Sequence, residues 1–220
     1  MTTETIRSDF DRLAVLENET VGWSHNNHYH AHLLRHVPAS CDESLEVGCG
    51  TGAIARLLAG RSRHLLGLDL SPEMISIARV RSAGFVNLDY QVADISEWPF
   101  PQEQFDCIAS IATLHHLPLD PMLYRMKTAL KPGGVFLVLD LFKAEDLTDL
   151  FLNAIAFPAN LVMHLARNQR IWPPHAQRLV WAEHGRHDYY LKVSAVLCIC
   201  RDILPGAIIR KHFFWRYSLI

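Results

Sequence analysis

The chain has 220 residues, half of them hydrophobic, which is enough for one sizeable core but too little for two full domains. Its formal net charge is −2 at pH 7, and its basic clusters are short, at Arg61–His64 and Arg210–His212. A nucleic-acid-binding protein usually carries a clustered basic face. We therefore expect residues 1–220 to form a single domain without a nucleic-acid partner.

Signals for export or membrane insertion are weak. Met1–Asp11 is polar and lacks the apolar stretch of a signal peptide. The longest apolar run, Leu147–Ala166, is interrupted by polar residues and Pro158, whereas a spanning helix needs about twenty largely apolar residues. The five cysteines are odd in number and form no CxxC pair, which is typical of reduced thiols. We expect a cytoplasmic protein with no stable membrane insertion, although contact with a membrane surface stays open.

The first 40 residues are predicted to form an N-terminal helical cap. The first twenty-odd residues are a polar lead-in, and a helix follows over His28–Val37, ended by Pro38. One face of this helix carries three histidines, His28, His32 and His36. That spacing could hold a metal ion, but no cysteine or carboxylate completes the site. We therefore predict lid or surface histidines and no metal.

Strands and helices then alternate up to residue 141. The predicted strands are short and apolar, and they are Ser44–Val47, His64–Leu68, Val86–Val92, Phe105–Ile111 and Val135–Leu141. The predicted helices between them are Ala53–Ala59 with Gly60 as its cap, one from Ser71-Pro72 to Gly84, and one that starts at Asp120-Pro121. Lys131–Gly134 is a predicted turn. This alternation indicates a parallel sheet covered on both faces.

The last third of the chain departs from this pattern. Phe142–His187 is rich in aromatic residues and histidine, and it is predicted to form one or two helices plus a loop. A helical pattern returns over Asp188–Leu204, and Pro205-Gly206 breaks it. Ile208–Ile220 is predicted to be a closing strand.

The strongest local signal is the glycine-rich run after the first predicted strand. Glycines there let the backbone turn sharply and approach a ligand, and the next helix presents free N–H groups. Gly48, Gly50 and Ala53 also satisfy the dinucleotide-binding pattern G-x-G-x-x-G/A. The loop alone is therefore compatible with an NAD(P)-dependent oxidoreductase.

Carboxylates near the strand ends favour a different ligand. Glu46 lies just before the glycines. Its negative charge would repel a pyrophosphate there, whereas a cationic, zwitterionic ligand can accept a carboxylate beside it. Asp69 ends the second strand and Asp94 follows the third, at the edge that faces the ligand crevice in such sheets. Asp69 fits ribose recognition in either case, whereas Asp94 suits an exocyclic amine.

Together these motifs resemble the class I S-adenosylmethionine (SAM)-dependent methyltransferases, in the small-molecule branch similar to the ubiquinone/menaquinone-biosynthesis enzymes. The matching motifs, in order, are Glu46–Gly52, Gly67–Met74, Ala93–Ile95, Phe105-Asp106 before Ser110, Leu114–Leu117 and Leu130–Gly134. The resemblance implies a Rossmann-like α/β fold: a seven-stranded, mostly parallel sheet with helices on both faces. It also implies a SAM cofactor and a helical lid insertion over residues 142–187.

The resemblance implies contacts to the methionine end of SAM. Gly48, Cys49 and Gly50 line the methionine through their backbones, and the carbonyl of Ser110 accepts from the ammonium group. Glu46 is expected to brace the loop rather than touch the methyl group.

The resemblance also implies contacts to the adenosine end. Asp69 accepts from both ribose hydroxyls and Leu70 packs on the adenine. Asp94 accepts from the adenine amine, with Ile95 beside it. Tyr29 enters the pocket because the N-terminal helix of similar enzymes closes over SAM.

Methyl transfer depends mainly on aligning the acceptor with the methyl group of SAM, and a base is a secondary requirement. The sulfonium methyl group is already a strong electrophile, so a base is needed only when the acceptor must lose a proton early. His115 and His116 follow the fourth strand and are the candidate bases, with bracing of the loop as the alternative.

The apolar and aromatic composition of the insertion predicts an apolar or aromatic small-molecule acceptor, contacted by residues such as Phe151 and Phe157. Simple packing of the lid on the core is the alternative, and O-, N- and C-methylation stay open. The other functions considered are a non-catalytic SAM-binding regulatory module and an NAD(P)-dependent oxidoreductase.

Overall fold

The computed structural model describes residues 2–17, 23–186 and 188–220, and a seven-stranded sheet lies at its centre. The strands are β1 (Cys41–Val47), β2 (Ser62–Asp69), β3 (Leu88–Val92), β4 (Phe105–Ile111), β5 (Leu130–Leu141), β6 (Ile209–His212) and β7 (Arg216–Leu219). The α-helices are α1 (Thr3–Glu17), α2 (His25–Leu34), α3 (Ala53–Ala59), α4 (Pro72–Arg81), α5 (Leu119–Ala129), α6 (Leu147–Asn168), α7 (His175–His184) and α8 (Val193–Ile203).

The sheet confirms the predicted α/β class. Its strand order is β3-β2-β1-β4-β5-β7-β6. Strands β1 to β5 are parallel, and β7 is antiparallel to both β5 and β6. Two apolar clusters cover opposite faces, one built on α5 and α8 and the other on α2, α3 and α4. The carboxyl ends of the parallel strands therefore meet at one edge, between helices of both layers.

The chain end forms a hairpin, so the single closing strand predicted over Ile208–Ile220 was wrong. Strands β6 and β7 pair through a tight turn in which Phe214 and Trp215 both have a φ of 60°. Positive φ values reverse the chain within a few residues, and neither residue type signals such a turn.

The polar lead-in predicted for the N-terminus was also wrong, since residues 3–17 form α1. Leu13 and Ala14 are fully buried against Met74 of α4 and Val180 of α7. Apolar residues at this spacing form one buried stripe on an otherwise polar helix, which composition alone does not reveal. Met1 and residues 18–22 lie outside the described residues.

Several predicted boundaries also differ from the structure, and the helix predicted over Asp188–Leu204 begins only at Val193. Helix α2 starts at His25 because Ser24 accepts a capping hydrogen bond from the Asn27 amide. Helix α5 starts at Leu119, so Asp120-Pro121 lies in its first turn. The predicted turn at Lys131–Gly134 lies within β5, where the register with β4 shifts.

The predicted insertion contains α6 and α7, although His187, its predicted end, lies outside the described residues. By length and composition alone, α6 could cross a membrane, and only 11% of its most apolar window is buried. Pro158 lies inside this helix, so the predicted interruptions do not break it.

Candidate active site

The loop after β1 turns on three glycines. Gly48, Gly50 and Gly52 have φ values of 72°, 50° and 74°. A Cβ on Gly48 would lie 2.1 Å from the side-chain oxygen of Thr113, whereas a Cβ on Gly50 would have no atom of the described residues within 4 Å. Gly48 is therefore required by the packing of the loop, and Gly50 borders open space that a ligand could approach closely.

Asp69 links the glycine loop to the start of α4. Its buried carboxylate accepts from the Gly50 amide at 2.7 Å and from the Ser71 amide at 2.9 Å. Burial raises its pKa, and the two amide hydrogen bonds oppose this change. The Ser71 hydroxyl also donates to Asp11, so α1 reaches this end of the site, which the sequence analysis missed.

The remaining adenosine-side candidates lie at the same edge of the sheet. Asp69 pairs with Val92 of β3, and Asp94 follows two residues later. One carboxylate oxygen of Asp94 accepts from the Ser96 amide at 2.9 Å. Leu70 is partly exposed, whereas Ile95 is 6% exposed and packs in the apolar core.

Glu46 lies beneath the glycine loop, fully enclosed. Its carboxylate accepts from the amide of Ala55 in the first turn of α3, and its second oxygen has no partner among the described residues. Burial and the nearby Asp69 raise the pKa of Glu46 well above its usual range. These contacts agree with the expected bracing of the loop.

Replacing Glu46 with glutamine is expected to stabilise the fold at neutral pH. The folded-state pKa is raised, so the unfolded chain loses this proton first and the free energy of unfolding falls as pH rises above about 4.5. The neutral amide removes that loss, which is about 1.4 kcal/mol for each pH unit between the unfolded and folded pKa values. Urea unfolding at pH 5 and pH 8 measures the gain in the free energy of unfolding, with the exposed Asp89→Asn as control. An equal change for Glu46→Gln at both pH values would contradict a raised pKa.

Two further methionine-side candidates are deeply buried. Cys49 is 5% exposed, and burial raises the pKa of its thiol well above the usual range. Ser110 is fully buried, and its hydroxyl has no partner within the described part of the chain.

Tyr29, another predicted pocket residue, lies against the β6–β7 hairpin. It donates to the Phe213 carbonyl in the β6–β7 turn, and its ring packs on His212. These contacts are with the hairpin, to which α2 is also joined by the hydrogen bond from Arg216 Nε to Asn26. Tyr29 shares an apolar cluster with Cys49 of the glycine loop, and its contact with the cofactor stays a prediction.

Past β4, His115 pairs with a carboxylate that the sequence analysis missed. Asp140, 1% exposed near the end of β5, lies 2.6 Å from His115 Nδ1 and accepts from the His115 amide at 3.0 Å. Asp140 follows the same pattern as Asp69, an acidic residue that ends a buried strand, and that pattern could have identified it.

His116 faces a different group. Its Nδ1 lies 3.4 Å from Asp188 Oδ1, and its ring meets those of Phe10 and His184 edge-on. Burial lowers the pKa of His116 to about 3, so this imidazole is neutral at physiological pH.

A cavity of about 230 Å³ lies beside the His115–Asp140 pair. Its walls are otherwise largely apolar, and they include Leu117, Leu141, Leu191, Ile199 and Tyr217. The predicted acceptor contacts Phe151 and Phe157 are 65% and 52% exposed and line neither this cavity nor the smaller one beside α6. Helix α6 presents both phenylalanines to solvent, and their contact with an acceptor stays a prediction.

Comparison with known proteins identifies the family. A methyltransferase-domain family model matches residues 45–134. An uncharacterized methyltransferase of Mycobacterium bovis is 33% identical over 88% of this chain and 93% of its own length. The demethylmenaquinone methyltransferase of Tropheryma whipplei is 30% identical over 62% of this chain, which spans 59% of that relative.

Solved structures agree on the fold. The DhpI–SAM–HEP complex superposes with a TM-score of 0.64 at 16% identity, over 98% of this chain and 94% of its own. The sheet order, the glycine loop and these matches together replace the oxidoreductase interpretation. The chain belongs to the class I SAM-dependent methyltransferases, and over 62% of its length it is similar to a quinone-biosynthesis enzyme.

Proposed function

We propose that this chain transfers a methyl group from SAM to an apolar small molecule bound in the cavity beside His115. The observation that carries the proposal is the His115–Asp140 pair in the wall of a largely apolar cavity, at the sheet edge that holds the glycine loop.

The residues at the cofactor end fit SAM. Gly50 borders open space, and the Asp69 and Asp94 carboxylates lie along the carboxyl ends of β2 and β3. In the proposed complex Asp69 holds the ribose and Asp94 the adenine amine. SAM itself supplies an activated methyl group, so the chain has to align the acceptor and exclude water.

His115 is the proposed base. Asp140 accepts from Nδ1–H of His115, which leaves Nε2 as the basic nitrogen. An acceptor hydroxyl or amine in the cavity would pass its proton to Nε2 as the methyl group arrives. Asp140 orients the ring and stabilises the imidazolium that forms.

The acceptor cavity is tested by filling it. Ile199 of α8 lines the cavity, whereas Leu197 of the same helix is 47% exposed and does not. Ile199→Trp is expected to slow turnover at least about tenfold on a panel of phenols, amines and quinone-like acceptors, with SAM affinity unchanged, since a lost fit of about 1.4 kcal/mol is tenfold. Leu197→Trp is the matched control. Unchanged turnover for Ile199→Trp would place the acceptor elsewhere.

A further inference from the structure

One buried carboxylate oxygen lies among imidazoles without a hydrogen-bond donor. Asp188 Oδ1 is 3.4 Å from His116 Nδ1 and 3.5 Å from His184 Nε2. It forms no hydrogen bond with any described residue, and neither does His184 Nε2. The side chains of Asp188 and His184 are only 3% and 1% exposed. Polar atoms buried in this way normally have a partner, so something is expected to lie between them.

The two distances at Asp188 are those of neighbouring ligands around one metal ion. In a tetrahedral zinc site with bonds of about 2.0–2.1 Å, neighbouring ligand atoms lie about 3.4 Å apart. The two distances at Asp188 match this value. Donor atoms of His115, His116 and Asp188 also all lie within 4.8 Å of one another.

Carboxylates orient the outer nitrogens of His184 and His115, whereas His116 Nε2 has no hydrogen-bond partner among the described residues. His184 Nδ1 lies 3.1 Å from Asp9 of α1, and His115 Nδ1 lies 2.6 Å from Asp140. Metal-binding histidines usually donate their second N–H to such a group, which fixes the ring and its tautomer. The second oxygen of Asp188 accepts from the Tyr190 hydroxyl at 2.6 Å, which fixes the carboxylate as well.

We propose that His116, His184 and Asp188 bind a divalent transition-metal ion of the zinc class, with the fourth position open toward His115. Two imidazoles and one carboxylate are a ligand set that suits zinc, and an open position is typical of catalytic sites. His115 also lines the cavity, so an acceptor oxygen could reach the ion from there. That last point rests on the proposed function, whereas metal binding does not.

Zinc alone, titrated into the metal-free chain against a chromophoric chelator, tests the site. We expect one zinc ion per chain, and tetrahedral visible bands on cobalt substitution. Asp188→Asn combined with His184→Gln should weaken zinc binding at least about a hundredfold, and Asp9→Asn about 10–100-fold. His175→Gln, an exposed histidine of α7, is the matched control.

Zinc affinity that is unchanged in the double variant would overturn the proposal, as would the absence of a stoichiometric site in the wild-type chain. Circular dichroism verifies the fold of each variant. Should the double variant unfold, the isosteric Asp188→Asn decides alone: retained wild-type affinity overturns the site, and a loss of at least about tenfold supports it. Neither measurement requires SAM or an acceptor, so failure of the metal site is distinguishable from failure of the proposed function.

A second, independent observation concerns the surface of α6. Six of its large apolar side chains are more than half exposed, and these are Leu147, Leu150, Phe151, Phe157, Val162 and Leu165. Trp172, shortly after the helix, and Trp181 of α7 are also exposed. An exposed apolar surface of this extent marks an interaction site.

The charges beside this surface favour one occupant. Over residues 147–186 the exposed charged side chains are Arg167, Arg170, Arg178, Arg186 and Glu183. Glu183 pairs with Arg12 at 3.1 Å, which leaves the flank positive. A two-fold dimer through this face would bring like charges together, whereas an anionic bilayer complements them, and tryptophans favour its interface. We infer that α6 lies on the surface of an anionic membrane.

Sedimentation with vesicles tests this surface. We expect binding to phosphatidylglycerol-containing vesicles and weak binding to pure phosphatidylcholine. Arg170→Glu with Arg178→Glu should lower partitioning on anionic vesicles at least about tenfold. Phe151→Ser with Val162→Ser should lower it as well, and the exposed Val80→Ser with Val86→Ser is the control. No binding to anionic vesicles, or a dimer in light scattering that Phe151→Ser breaks, would overturn the inference.

Discussion

Replacing His115 with alanine is expected to slow methyl transfer about 10²–10⁴-fold, the usual contribution of a positioned base, while SAM affinity stays unchanged. The reason is the geometry past β4: Asp140 lies 2.6 Å from Nδ1 and orients the ring, which leaves Nε2 to take the acceptor proton. Single-turnover rates with a phenolic acceptor measure the effect, beside calorimetric titration of SAM.

The same experiment separates catalysis from bracing of the loop. His115→Asn can keep a hydrogen bond to Asp140 but has no basic nitrogen. If the base assignment is right, asparagine is as slow as alanine. Wild-type rates for His115→Asn would show that the residue only holds the loop in place. The exposed His175→Ala is the control for loss of a histidine elsewhere.

Asp69→Ala is expected to weaken SAM binding by about 1.5–3 kcal/mol, or roughly 10–150-fold, because two ribose hydroxyls lose a charged acceptor. The variant also removes the acceptor for the Gly50 and Ser71 amides, so the loop itself loosens. Calorimetric titration with S-adenosylhomocysteine measures the loss, and the exposed Asp89→Asn is the control. Wild-type affinity in Asp69→Ala would show that the ribose lies elsewhere.

Local sequence signals predicted the centre of the molecule well. The five parallel strands follow from short apolar runs, and the start of α4 follows from Ser71 as cap with Pro72 in the first turn. The glycine loop and Asp69 were found because both depend on one strand-to-helix turn and one strand end. Such features are set within a few residues, so their signals survive in a single sequence.

Features that depend on distant parts of the chain were missed. Asp140 of β5 meets His115 across 25 residues of sequence, and His184 meets Asp9 across 175. Helix α1 is stable because α4 and α7 cover its apolar stripe. The composition of α1 itself does not predict these two packing partners. The β6–β7 hairpin depends on positive φ values at two aromatic residues, which tertiary packing imposes against local preference.

Titration of S-adenosylhomocysteine into the wild-type chain decides whether the chain binds a SAM-type cofactor, and it needs no known acceptor. We predict one site per chain, stabilisation of the fold by about 2.7 kcal/mol at a hundredfold excess over Kd, and no comparable effect of NADH or NADPH. Stabilisation by a nicotinamide dinucleotide, with none by S-adenosylhomocysteine, would contradict a SAM-dependent enzyme.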